Sequence, residues 1–109
     1  MKKEIQSIRE KIGNIGVFDS GIGGVTVLKE ILKILPNENY IYYSDSKNNP
    51  YGDKTDKEIL EICDDIVQKL LNENCKAIVI ACNTASAKAV SYLREKYSRN
   101  TIYCNRASL

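Results

Sequence analysis

The sequence predicts an α/β domain with an open parallel sheet and helices on both faces. Short apolar runs typical of strands alternate with longer segments in which apolar residues recur at helical spacing. One run, residues 77–81, is apolar throughout, as expected of a strand buried on both faces of a parallel sheet. A polar loop follows each run, and ligands of such sheets bind where the carboxyl ends of the strands meet. We therefore expect the functional residues in these loops.

The first strand and helix are joined by a glycine-rich loop. Residues 15–18 form the strand, the loop has the sequence DSGIGG, and apolar residues at helical spacing continue as far as Pro36. Thr26 stands where a dinucleotide-binding fingerprint has its third glycine, and the sequence has no GxxxxGK[ST] motif. The loop is therefore either an anion site at a helix start or a tight turn that needs glycine for its backbone.

Two further units follow the same order. Residues 40–43 are aromatic and β-branched, and a long polar loop containing Pro50-Tyr51-Gly52 comes after them. Thr55-Asp56-Lys57-Glu58 fits a capping box, which predicts the start of a helix whose apolar face includes Cys63. After the strand at 77–81, residues 84–97 have a helix-compatible composition.

The chain divides into three parts on this pattern. Residues 1–13 are an N-terminal leader helix or extension, residues 14–97 form one α/β lobe, and residues 98–109 are a divergent tail without apolar periodicity. Within the tail only residues 101–103 hint at a strand. A chain of 109 residues is the size of one ordinary domain.

Composition and charge exclude several functional classes. The 16 Lys and Arg and the 14 Asp and Glu give a net charge of +2 and are mixed along the chain, so we expect no nucleic-acid partner. No stretch approaches the roughly 20 apolar residues of a membrane span, and we expect a cytoplasmic protein. The four cysteines form no CxxC pair and the chain has no histidine, which argues against metal binding, a disulfide framework and a Cys-His dyad.

Cys82 is the candidate reactive residue. It follows a buried strand and precedes a helix, where unpaired backbone N–H groups stabilise a thiolate and lower its pKa. A free cysteine is more often a small core residue, but the polar neighbours Asn83 and Thr84 favour a functional thiol. We expect its sulfur to be exposed in the same hollow as Asp19 and Tyr51.

The other thiols and the Pro50-Tyr51-Gly52 segment have simpler interpretations as well. Cys63 lies on an apolar helix face, Cys75 enters its strand from the opposite end of the sheet, and Cys104 lies in the irregular tail, so we take all three as structural. The segment is either an ordinary turn or a rim element whose tyrosine covers a ligand.

Taken together, the three loops resemble the N-terminal lobe of glutamate racemases. The resemblance covers residues 14–97 and rests on GVFDSGIGG at 16–24, PYG at 50–52 and ACNTAS at 81–86. It implies one lobe of a two-lobed fold and a cofactor-independent interconversion of L- and D-glutamate, which provides D-glutamate for peptidoglycan. By the same resemblance, Cys82 is one of two catalytic cysteines and Asp19 assists proton transfer. The substrate-binding residues that it implies are Asp19, Ser20, Tyr51, Gly52, Asn83 and Thr84.

One part of that pattern is not in the sequence. The family places a second cysteine, followed by threonine and histidine, on a second lobe, and Cys104 lacks those neighbours. We therefore expect a truncated product with little racemase turnover, whose open apolar interface a homodimer could cover. Two alternatives stay open: a module that binds a small dicarboxylate or a partner lobe without catalysis, and a relative of the aspartate racemases. A thiol-redox domain is disfavoured, because no second cysteine stands near Cys82 in the sequence.

Overall fold

The computed structural model describes residues 11–21, 24–98 and 101–104, which form a four-stranded parallel sheet with helices on both faces. The predicted fold class is confirmed. The strands are β1 (Asn14–Asp19), β2 (Tyr40–Ser44), β3 (Cys75–Ile80) and β4 (Thr101–Cys104), in the spatial order β2-β1-β3-β4. The helices are α1 (Gly24–Ile34), α2 (Asp56–Asn72) and α3 (Asn83–Lys96). Two short 3-10 turns, Ser46–Asn48 and Tyr51–Asp53, follow β2.

Two hydrophobic cores lie on opposite sides of the sheet. Along β1, Ile15 and Val17 pack on the side that holds Ile31 of α1, whereas Phe18 packs on the side of α2 and α3. The alternation follows from the period of two along a strand. β1 and β3 are the two central strands and are covered on both faces. Their sequences are almost entirely apolar for this reason.

The capping box predicted before α2 is present. Thr55 Oγ1 accepts a hydrogen bond from the backbone N–H of Glu58 at 3.2 Å, and Glu58 Oε1 accepts one from the N–H of Thr55 at 3.0 Å. These bonds satisfy two helix-end donors. Cys63 lies fully buried on the apolar face of α2, as expected.

Residues 101–104 are more regular than the sequence indicated. They form β4, in which Ile102 pairs with Ile78 and Cys104 pairs with Ile80. The expectation that Cys104 lies in irregular chain is therefore wrong, because pairing with β3 orders a segment that has little pattern of its own. The predicted leader falls largely outside the described residues, as do residues 99–100 and 105–109. Among the described residues, none of the helices has both the length and the apolar character of a membrane span.

Candidate active site

Backbone hydrogen bonds join the carboxyl ends of β1, β2 and β3. The N–H of Ala81, just after β3, donates to the carbonyl of Phe18 at 2.8 Å. The N–H of Asp45, just after β2, donates to the carbonyl of Asp19 at 3.0 Å. The loops that carry the predicted site residues therefore begin side by side at the carboxyl edge of the sheet, which is the usual ligand position in this architecture.

Asp19 is fully buried, and its carboxylate is occupied by hydrogen bonds. One oxygen accepts from the N–H of Gly21 at 2.8 Å. The other accepts from the N–H of Gly24 at 2.8 Å and from the Tyr42 hydroxyl at 2.5 Å. A carboxylate at the first turn of α1 is favoured by the positive end of the helix dipole. Asp19 thus anchors the glycine-rich loop and the start of α1 to the end of β1.

The glycine at position 24 is required by Asp19. A Cβ atom there would lie 2.1 Å from the nearer Asp19 oxygen, whereas Gly21 is required by its backbone, with φ of +107°. The tight-turn interpretation of this loop therefore explains both described glycines, and residues 22 and 23 lie outside the described chain. Tyr42 was not singled out from the sequence, although it points from β2 to this carboxylate.

Cys82 occupies the N-cap position of α3, without a side-chain bond to the helix, and contacts Ser20 across the strand ends. Its Sγ donates to Ser20 Oγ at 3.5 Å, and the backbone carbonyl of Cys82 accepts from the N–H of Ser86 at 2.8 Å. The expected exposure of the sulfur is wrong, because Cys82 is only 8% exposed and packs in the core on the α2 and α3 side of the sheet. The thiol therefore lies at the predicted place, but it is covered.

Tyr51 also lies deeper than the sequence suggested. The residue is 2% exposed and packs in the same core as Cys82, so a position on the rim of a crevice is wrong. Its hydroxyl donates to Asp45 Oδ2 at 2.5 Å. Gly52, the next residue, is exposed, and apart from its two chain neighbours no described residue has an atom within 4 Å of the position that a Cβ would take. The backbone of Gly52, and not the ring of Tyr51, is therefore the part of this turn that a ligand can approach.

Asp45, which the sequence did not single out, lies beside the candidate site residues. It is 4% exposed and lies at the carboxyl end of β2, as Asp19 does at the end of β1. The shared pattern of a strand followed by an aspartate was the signal that could have identified it. Asn83 and Thr84 lie in the first turn of α3, where the former is exposed and the latter is half-buried. Backbone N–H groups in a first turn have no partner within their helix.

Two other thiols are held in the protonated form by burial. Burial raises the pKa of Cys63 to about 12, with smaller contributions from Cys82 and Asp45. Burial also raises the pKa of Cys75 to about 11, with a contribution from Glu73. Cys75 begins β3 at the sheet edge opposite to the candidate site, as predicted.

The fold and site define an α/β protein with a buried thiol and two carboxylates at the carboxyl edge of a parallel sheet. Comparison with known proteins shows what the chain is similar to. The chain is 53% identical over 90 residues to a glutamate racemase from Fusobacterium nucleatum, covering 82% of this chain and 34% of the relative. Its structure matches glutamate racemases, and no family model matches the sequence. The chain is therefore similar in sequence and structure to the N-terminal region of glutamate racemases.

Two solved structures illustrate the match. The glutamate racemase from Thermus thermophilus, in complex with beta-chloro-D-alanine, gives a TM-score of 0.80 at 42% identity and covers 84% of this chain and 36% of its own. The enzyme from Francisella tularensis, in complex with D-glutamate, gives a TM-score of 0.77 at 41% identity and covers 84% and 35%. The chain thus spans about a third of the length of its relatives.

Proposed function

We propose that this chain supplies one side of a glutamate racemase site, with Cys82 as its acid–base group. The substrate position is lined by Asp19, Ser20, Gly52, Asn83 and Thr84. Tyr51 packs in the core beneath these residues and supports the turn that carries Gly52. The substrate is glutamate, which supplies D-glutamate for peptidoglycan, and no cofactor takes part. We also propose a cytoplasmic location, which is supported by the four free cysteines, because reduced thiols persist in a reducing compartment.

The observation that carries this proposal is the contact between Cys82 Sγ and Ser20 Oγ at 3.5 Å, at the joined ends of β1 and β3. It brings two of the segments shared with the family into one place. The adjacent first turn of α3 offers backbone N–H groups that suit the carboxylate of an amino acid.

The chemistry requires an acid–base group on each side of the α-carbon. As a thiolate, Cys82 takes the α-hydrogen as a proton and becomes a thiol, and the electron pair stays on the substrate as an enolate-like carbanion. A second acid then returns a proton to the opposite face. Asp19 is proposed to assist through its position beside Ser20, although its carboxylate also holds the start of α1.

Burial of Cys82 decides what must change during the reaction. Cys82 is almost fully covered, so substrate entry must open the cover over its sulfur. The same burial favours one alternative, a module that binds a dicarboxylate without catalysis.

Alkylation of the thiols tests the proposal. The chain is treated with iodoacetamide with and without D- or L-glutamate, and the modified cysteines are identified by peptide mass spectrometry. We expect glutamate to slow alkylation of Cys82 and to leave that of Cys75, a thiol of similar burial at the opposite sheet edge, unchanged. Equal rates at Cys82 with and without glutamate would contradict a substrate site here.

Incubation with L-glutamate in deuterated water separates the racemase from a simple binder. The 109-residue sequence has no Cys-Thr-His segment, so we expect little or no D-glutamate from this chain alone. Any deuterium incorporated at the α-carbon should disappear in Cys82→Ala and persist in Cys75→Ala. Efficient incorporation with formation of D-glutamate would show that a second acid–base group is not needed. A pure binder would protect Cys82 and incorporate no deuterium.

A further inference from the structure

Asp45 connects three parts of the candidate site. Its backbone N–H donates to the carbonyl of Asp19 at 3.0 Å, and its Oδ2 accepts from the Tyr51 hydroxyl at 2.5 Å. The side-chain amide of Asn48 lies 3.1 and 3.0 Å from its two oxygens. The end of β1, the end of β2 and the turn at Tyr51–Asp53 therefore meet at this one residue.

These bonds have an energetic reason. A carboxylate that is 4% exposed is costly unless its oxygens accept hydrogen bonds, and bonds to an ionised acceptor are about twice as strong as neutral ones. Burial raises the pKa of Tyr51, and so do the hydrogen bond and the charge of Asp45. The phenol therefore keeps its proton and remains a donor to Asp45.

The turn that Asp45 holds is next to the candidate thiol. Tyr51 packs in the same core as Cys82, and the turn contacts α3, the helix that Cys82 caps. Gly52 follows directly on the anchored tyrosine and is exposed. Displacement of the Tyr51 hydroxyl would therefore move both the backbone of Gly52 and the packing over the sulfur.

We propose that Asp45 is a positioning residue that fixes the Tyr51–Asp53 turn, and with it the substrate-facing backbone of Gly52, beside Cys82. It acts through Tyr51 and does not touch the substrate, since its side chain is buried and both oxygens are engaged. The inference rests on the proposed function, because it assigns Asp45 a role in glutamate binding.

Asp45→Asn tests the role, because it keeps the shape of the side chain and removes its charge. Asp64→Asn is the matched control: Asp64 accepts from the Tyr97 hydroxyl and from Lys96, so it also pairs with a tyrosine, but it joins α2 to α3 away from the strand ends. Two readouts are taken on the whole chain. One is the ¹³Cζ resonance of Tyr51, assigned with Tyr51→Phe, and the other is the protection of Cys82 from iodoacetamide by D-glutamate.

In Asp45→Asn we expect the Tyr51 resonance to shift and the glutamate concentration for half-protection to rise about tenfold, as loss of a charge-assisted bond predicts. Asp64→Asn should change neither readout. Unchanged protection in Asp45→Asn overturns the positioning role, and so does an unmoved resonance. If Asp45→Asn does not fold, Tyr51→Phe must reproduce the loss of protection, and full protection there overturns the proposal. Absence of protection in the unsubstituted chain contradicts the proposed function itself.

Discussion

Single residues at the strand ends hold the fold together beside the candidate site. Asp19 is predicted to take part in proton transfer, yet its buried carboxylate receives two backbone N–H groups and the Tyr42 hydroxyl. The pKa of Tyr42 is raised to about 12, mainly by burial and to a smaller extent by the hydrogen bond to Asp19 and the charge of Asp19. The phenol is therefore a stable donor, and Asp19 is held in one orientation beside Ser20.

The close fit between Asp19 and Gly24 makes a direct prediction for Gly24→Ala. The added Cβ would lie 2.1 Å from an Asp19 oxygen, so the carboxylate must move out of its hydrogen bonds. We expect a loss of about 1–3 kcal/mol in the free energy of unfolding, as for other overpacked sites, measured by urea denaturation.

The matched control is Gly52→Ala, since a Cβ at Gly52 has no atom within 4 Å. Its stability should stay within about 0.5 kcal/mol of the parent chain. Equal losses in the two variants would contradict the described packing around Asp19.

At the scale of helices and strands, most of the fold could be predicted from the sequence. Periodicity placed α1 and α2, and composition placed α3, within a few residues. The capping box fixed the start of α2 because its two hydrogen bonds are local. β4 was not predicted as a full strand, since its order comes from pairing with β3. Local pattern therefore specifies elements well where their stabilising contacts are also local.

The site was predicted less completely, because burial depends on packing between distant segments. The joined loops could be inferred from the parallel strand order, which places their ends at one edge. The covered positions of Cys82 and Tyr51 depend on contacts with α2, α3 and Asp45, which no single segment reveals. The partners of Asp45 could not be predicted for the same reason.

The capping box of α2 predicts how stability responds to acid. Backbone and side-chain hydrogen bonds with Thr55 lower the pKa of Glu58 below its ordinary value of 4.5. A lowered folded pKa gives stability that is present above the ordinary value and is lost as the pH falls through the folded one. Glu58→Gln should therefore lose less stability than the parent chain between about pH 6 and about pH 3.

Urea denaturation at several pH values measures this difference, with Glu61→Gln, an exposed change on the same helix, as the control. The control should follow the parent chain. Parallel curves for Glu58→Gln and the parent chain would show that the carboxylate does not support the cap.

At the scale of the whole molecule, the packed cores lie on the two faces of the sheet, and the candidate site lies at its carboxyl edge. The two cores fill both faces, and the ion pair of Lys76 with Glu38 lies toward the amino ends of the strands. The candidate site lies at the carboxyl edge, where Asp19, Asp45 and Cys82 are held by bonds between strand ends. The described residues thus present one face of the proposed site, at the carboxyl ends of β1, β2 and β3.

The most direct test of this assignment is a titration of the ¹⁵N-labelled chain with D-glutamate, followed through its backbone amide resonances. The largest changes are expected at Ser20, Gly52 and Thr84, with Cys75 and Lys76 at the opposite edge unaffected. Changes confined to the opposite edge, or none at any glutamate concentration, would contradict a substrate site at the carboxyl ends of the strands.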